Sequence, residues 1–243
     1  VVTGAAKGIG AAIAEAYSAA GARVVVADID SEGAASVAGA LGSATAATCD
    51  VSDEAQVAQL VSETVAQHSR LDVMVCSAGI ATVNPLVQMS LDEWREVLSV
   101  DLDGVFLCDK YAAAAMAASG GGSIINIASI KAFGGSPAVG HYGAAKAGVV
   151  SLTKTLALEM RAHGVRVNAI CPGWVGTDLV FDRKAELEAV LGIGFDDYIG
   201  HIQGRLGEPN EIAPLAVFLA SDRSSFSSGT AYVVDGGATA SLV

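Results

Sequence analysis

Positive charge is scarce in this chain. Its 14 Lys and Arg face 26 Asp and Glu, a formal charge of −12 at pH 7, and the basic residues cluster nowhere. A polyanion needs such a cluster, so nucleic acid is excluded as a partner, and small molecules or copies of the same chain are expected instead. Cysteine is sparse as well: Cys49, Cys76, Cys108 and Cys171 lie far apart with no CxxC pair. That pattern fits neither a disulfide framework nor a zinc site, and it points to a reducing, cytoplasmic setting. His68, His141, His163 and His201 lack metal-ligand spacing, so no metal is expected. The longest run without charge, Tyr111 to Ile130, is interrupted by Ser119-Gly120-Gly121-Gly122-Ser123. A helix, a turn and a strand suit it better than a membrane span, and no membrane is expected. Neither a starting Met nor a basic and apolar leader is present, and Val1-Val2-Thr3-Gly4 reads as the tail of a buried strand with residues missing before it.

What the chain does have is apolar residues and glycine. Of 243 residues 52% are hydrophobic and only 16% charged, enough for a large core, and the 28 glycines gather at the ends of apolar runs as turn punctuation. Short β-branched runs alternate with helical patterns throughout, the signature of βαβ units and of a parallel sheet covered on both faces. Strands are expected at 1–3, 23–27, 44–50, 71–77, 123–128, 166–170 and 231–234. Helices are expected near 9–20, 31–41, 54–68, 91–118, 142–163 and 209–220, the fourth opened by the capping box Ser90-Leu91-Asp92-Glu93 and the last by Pro209. No composition shift or repeat divides the chain, so residues 1–243 read as one domain. Within it 177–206 is long, glycine-punctuated and aromatic, as a substrate lid would be.

The first strand runs into Thr3-Gly4-Ala5-Ala6-Lys7-Gly8-Ile9-Gly10 and then an amphipathic helix. Glycines 4, 8 and 10 permit a tight turn and let bare backbone approach a pyrophosphate at the positive end of that helix. The next strand ends at Asp28, where a ribose-binding acid is expected. A carboxylate there accepts from both ribose hydroxyls and repels a 2′-phosphate, which favours NAD over NADP; Lys7, inside the loop, either reaches such a phosphate or is a solvated charge. Asp50 and Val51 follow the third strand, and Cys76-Ser77-Ala78-Gly79 ends the fourth in residues small enough for a cofactor to pass.

Tyr142 and Lys146 are four apart, on one helix face about 6 Å apart along the axis. An ammonium beside a phenol favours the phenolate and so brings proton exchange closer to working pH. Ser129, ending a strand thirteen residues earlier, is placed to donate to a substrate oxygen. With Thr3-Gly4, Gly8, Gly10, Ser129, Tyr142, Lys146 and Pro172-Gly173 all in order, the chain resembles the short-chain dehydrogenase/reductase family over essentially its whole length. The resemblance implies a Rossmann-type doubly wound parallel seven-stranded sheet with helices on both faces. It also implies Tyr142 as general acid/base, Lys146 lowering its pKa and gripping the nicotinamide ribose, and Ser129 polarising the carbonyl. It makes Asp50 and Val51 adenine contacts, and Val175 and Thr177 contacts of the carboxamide. The cofactor contacts expected are therefore Gly4, Lys7, Gly8, Ile9, Gly10, Asp28, Asp50, Val51, Ser77, Ala78, Gly79, Tyr142, Lys146, Pro172, Gly173, Val175 and Thr177.

Two departures stand out. Cys76-Ser77-Ala78-Gly79 replaces the family's Asn-Asn-Ala-Gly, and Asp101 stands where the family has an Asn that holds a water in the proton relay from the Lys. Asp101 is therefore a candidate catalytic residue with altered chemistry. The expected activity is NAD(H)-dependent interconversion of a secondary alcohol and a ketone in a pocket walled by Ile130, Phe133, Trp174, Phe181 and Tyr198. No arginine pair is set for an anion; Arg183 and Lys184 either serve or face solvent. The alternatives are an NADPH-dependent 3-oxoacyl-carrier-protein reductase, disfavoured by Asp28 and the −12 charge, a non-catalytic dinucleotide-binding protein, and a purely structural subunit. The resemblance also implies a homotetramer or homodimer paired through 91–118 and 142–163, with alanines 112–115 either at that interface or on the sheet.

Overall fold

The computed structural model describes residues 1–240. Strands β1 (Val2–Thr3), β2 (Val24–Asp28), β3 (Ala44–Thr48), β4 (Val73–Cys76), β5 (Gly122–Ile127), β6 (Val165–Pro172) and β7 (Ala231–Val234) form one sheet in the order β3-β2-β1-β4-β5-β6-β7. Every pairing is parallel. Strands such as Val24-Val25-Val26 are apolar without alternation because both faces are covered. On one face Val26, Ile125 and Ile170 pack against α1 (Gly8–Ala19), α2 (Ser31–Ala40) and α10 (Pro209–Ala220). On the other Val25, Met74 and Ile124 pack against α3 (Glu54–His68), α5 (Gly104–Ala118) and α6 (Gly140–Glu159). This is the doubly wound Rossmann-type sheet expected, and its strand order reverses between β1 and β4, where the crevice beyond the strand ends takes ligands in such folds.

The helix expected over 91–118 forms over that whole span, but not as α-helix throughout. It is α4 (Leu91–Leu98), then a π turn at Ser99–Asp103, then α5. The wider turn carries Asp101 inward to complete burial. The capping box forms as expected: Ser90 Oγ accepts from Glu93 N at 3.1 Å, and Glu93 Oε2 accepts from Ser90 N at 2.8 Å. Helix α6 starts at Gly140, two residues before Tyr142, and yields to a short turn at Arg161–His163. Ala112, Ala113 and Met116 are buried in the core cluster of the sheet's second face. The segment 177–206 folds as α7 (Asp178–Phe181), α8 (Lys184–Leu191) and α9 (Phe195–Ile202) around its own cluster of Leu187, Phe195 and Ile199. Among the described residues no helix is long and apolar enough to cross a membrane.

One buried acid makes stability depend on pH. Asp109 of α5 is buried, accepts from Asn126 Nδ2 at 3.1 Å, and has its pKa raised by burial to about 7. A raised folded-state value means that this group's contribution is fully present below the unfolded pKa and is lost as pH climbs to about 7. Asp109→Asn should therefore flatten the fall in unfolding free energy between about pH 4 and 7. Urea melts across that range check it; an unchanged slope would show that Asp109 titrates normally.

Candidate active site

A cavity of about 410 Å³ opens at the carboxyl ends of the central strands, bordered by the loops that follow them and by α7 and α8. The glycine loop forms its floor. Gly4 has φ +63°, and a Cβ there would meet Ala78 Cα at 2.5 Å; a Cβ on Gly10 would strike the Gly4 carbonyl. Helix α1 starts at Gly8 with no side-chain cap and no acid in its first turn. Gly8, Ile9 and Gly10 line the cavity at that start, where helix N–H groups attract an anion. The bare backbone and uncapped helix end fit a dinucleotide's pyrophosphate.

Asp28 ends β2 beside this loop. Its Oδ2 accepts from Ala6 N at 2.9 Å and its Oδ1 from Asp30 N at 3.0 Å, so backbone on both sides holds the carboxylate at the cavity wall. Lys7 does not turn toward it: Lys7 Nζ pairs with Asp178 of α7 at 3.2 Å, an exposed bridge between the glycine loop and the lid segment. Asp50 and Val51 also line the cavity, with Asp50 Oδ1 accepting from the Ser52 hydroxyl at 2.7 Å. Ser77, Ala78 and Gly79 lie opposite, anchored where Ser77 N donates to Thr3 Oγ1 at 3.2 Å.

At the other end Ser129, Tyr142 and Lys146 converge. Lys146 is buried and donates to Ile127 O at 3.1 Å, and its Nζ lies 3.0 Å from Asp101 Oδ2. Asp101 Oδ1 accepts from Ile80 N at 2.7 Å. Asp101 thus meets Lys146 directly, not through a water as the family's Asn would. A Cβ on Gly79 would come within 3.0 Å of Asp101 Oδ2 and 3.5 Å of Lys146 Nζ, so that glycine leaves room for the ion pair.

The pair rewrites the electrostatics expected from the Tyr and Lys spacing. Burial raises the Tyr142 phenol; Lys146 and a hydrogen bond with Ser129 lower it, Asp101 raises it, and the net direction is upward. Lys146 thus fails to bring the phenol below its ordinary value, because burial outweighs the ammonium's field and Asp101 offsets part of that field. For Lys146 itself burial opposes the charge, but Asp101 and Tyr142 hold it above its ordinary value, so it stays a cation. Burial raises Asp101 more than Lys146 and the Ile80 N–H lower it.

Pro172, Gly173, Val175 and Thr177 follow β6 along the cavity. Gly176 N donates to Gly207 O at 2.8 Å and Gly207 N to Trp174 O at 2.9 Å, which pins the loop. Gln203, just past α9, clasps Trp174 from both sides: its Oε1 accepts from Trp174 N and its Nε2 donates to Trp174 O, each at 2.8 Å. No spacing in the sequence announces that clamp, because it joins positions brought together only by the lid's folding. Of the expected pocket wall, Ile130 and Trp174 line the cavity. Phe133, Phe181 and Tyr198 do not. Phe133 emerges to solvent after the turn at Ile130–Ala132, Phe181 is half exposed with its ring edge over Gly176, and Tyr198 packs edge-on behind Trp174. Val83, Leu179, Val180 and Leu187 stand there instead. His141 is fully buried, bonded through Nε2 to Thr82 at 2.7 Å, and is not on the wall.

A family profile described as enoyl-(acyl carrier protein) reductase matches residues 4–239. The crystal structure of a short-chain type dehydrogenase/reductase from Mycobacterium marinum superposes with a TM-score of 0.89 at 37% identity, covering 99% of this chain and 94% of that one. The chain belongs to the short-chain dehydrogenase/reductase family. It is 43% identical over 245 residues to cis-4-hydroxycyclohexanecarboxylate dehydrogenase of Sinomonas cyclohexanicum, covering 99% of this chain and 96% of the relative. It is also 39% identical over 243 residues to a 3-oxoacyl-[acyl-carrier-protein] reductase of Synechocystis, covering 98% and 95%. As a short-chain dehydrogenase/reductase it is an oxidoreductase that works with a nicotinamide dinucleotide on small molecules.

Proposed function

We propose that this chain is an NAD-dependent dehydrogenase interconverting a secondary alcohol and a ketone. The observation that carries this is the meeting of Ser129, Tyr142 and the Lys146–Asp101 ion pair at the apolar end of a cavity whose other end holds the anchored carboxylate of Asp28. When bound, the dinucleotide supplies the hydride acceptor for the alcohol or the hydride donor for the ketone. In oxidation Tyr142 Oη takes the hydroxyl proton, and the Ser129 hydroxyl donates to the same substrate oxygen and orients it. Lys146 steadies the phenolate and grips the nicotinamide ribose. Gly4, Gly8, Ile9 and Gly10 cradle the pyrophosphate, Asp50 and Val51 border the adenine, and Ser77 to Gly79 border the ribose. Pro172, Gly173, Val175 and Thr177 cover the nicotinamide. Ile130 and Trp174 wall the substrate, and 177–206 closes over it.

Asp28 supports NAD over NADP, because both its oxygens are already held by backbone N–H groups and it cannot swing clear of a 2′-phosphate. Like charges set against each other cost several kcal/mol, so NAD should exceed NADP by roughly 100-fold in kcat/KM. Asp28→Ala should bring the two within about tenfold. A wild-type preference for NADPH would reverse the cofactor assignment and favour the carrier-protein reductase reading. The four buried free cysteines support a reducing, cytoplasmic location. Exposed Phe106 on α5 and Leu158 on α6 support a homotetramer or homodimer paired through those helices, which gel filtration tests.

A further inference from the structure

The substrate end of the cavity holds two cations that the mechanism above does not use. Lys131 follows Ser129 by two positions, and its Nζ sits 5.1 Å from the centre of the Trp174 ring. Arg183, between α7 and α8, donates from Nε to Ala81 O at 3.0 Å, a bond that ties the lid segment to the loop after β4; among the described residues both terminal nitrogens of the guanidinium are unspent. Among the described residues neither cation has a carboxylate within 4 Å. The acids that border the cavity are occupied elsewhere: Asp28 and Asp50 at the far end, Asp178 on Lys7, and Asp101 on Lys146. Lys184, the neighbour of Arg183, is spent on Asp196 at 2.9 Å. In a chain with 26 acidic residues against 14 basic ones, two cations that line one cavity stand without an acid, and burying an unpaired charge is costly. Burial accordingly lowers the Lys131 pKa, with no charged neighbour raising it.

We infer that Lys131 and Arg183 form an anion subsite, and that the substrate is a secondary alcohol bearing a carboxylate across an apolar spacer. The inference rests on the dehydrogenase reading above. The spacer, alicyclic or short aliphatic, fits the walls made by Ile130, Trp174, Val180 and Leu187. Its carbinol end meets Ser129 and Tyr142, and its carboxylate meets the guanidinium fork and the ammonium. The carboxylate takes no part in the chemistry: the carbinol carbon gives its hydride to the dinucleotide, the hydroxyl proton goes to Tyr142, and a keto acid leaves. Holding the charged end fixes which face of the carbinol carbon is presented, so the subsite contributes orientation as well as affinity.

The test compares 4-hydroxycyclohexanecarboxylate with its methyl ester and with cyclohexanol, using NAD and following NADH. It also measures binding of 4-oxocyclohexanecarboxylate and its methyl ester to the enzyme–NADH complex through Trp fluorescence. The acid should exceed the ester by roughly 100-fold in kcat/KM and in binding. Arg183→Leu and Lys131→Met should each remove most of that advantage while leaving ester turnover within about threefold. Equal handling of acid and ester, in turnover and in binding, overturns the anion subsite. Turnover of cyclohexanol or the ester in that case still upholds the dehydrogenase. Tight binding of the keto acid, lost in both variants, with no NADH formed from any alcohol upholds the subsite and sinks the dehydrogenase reading.

Discussion

Tyr142→Phe should lower kcat for alcohol oxidation by about a thousandfold while leaving the dissociation constant for NADH within about twofold. The phenol is the group at the substrate end able to exchange a proton with the alcohol oxygen; Ser129 orients that oxygen, and Lys146 is locked to Asp101 and the Ile127 carbonyl. Phe keeps the ring that stands 5.4 Å from the Lys146 ammonium, so the fold and the dinucleotide end are preserved while the acid/base is removed. Because burial holds the phenol above its ordinary value, wild-type oxidation should rise with pH through the neutral range, where reduction, which starts from the phenol, should not. Stopped-flow hydride transfer and equilibrium NADH titration separate the two effects. Retained turnover in the Phe variant would remove Tyr142 from the mechanism.

Asp101→Ala should cost about 3–5 kcal/mol of unfolding free energy, because it leaves the Lys146 ammonium buried without its counter-charge and the Ile80 N–H without its acceptor. Asp101→Asn isolates the charge from the packing: its amide oxygen can still accept from Ile80, but the negative field on Tyr142 is gone. The groups facing the phenol are then Lys146, Ser129 and the buried Cys171 thiol, of which the first two favour the phenolate. The alkaline rise of oxidation should therefore move to lower pH in the Asn variant. Urea melts check the first variant and kcat/KM against pH the second. An unmoved profile would mean that Asp101 acts on folding alone.

Much of the fold is legible in the residues because its cues are local. Val24-Val25-Val26 reads as a strand buried on both faces whatever surrounds it, and Ser90 with Glu93 marks a helix start within a single turn. Gly4 and Gly10 are legible for the same reason, since close backbone approach excludes a Cβ whatever the rest of the chain does. The helix over 91–118 is legible as a whole, but its π turn at Ser99–Asp103 is not, because the apolar pattern barely changes there. The π turn serves a partner, Lys146, that lies on another helix. Phe133, Phe181 and Tyr198 mislead in another way: an aromatic in a loop has no periodicity to say which side it faces, and here the lid's own small core and the solvent claim them.

By itself, then, the sequence determined the alternation of strands and helices, the glycine loop with its following acid, and the spacing of Ser129, Tyr142 and Lys146, since each depends on neighbours along the chain. Only the tertiary structure decided that Asp101 neutralises Lys146 directly, that Gln203 clamps Trp174, and that Lys131 and Arg183 line the same cavity. Those relations join separate elements, and the charge each group feels is set by burial and by partners that no local pattern encodes.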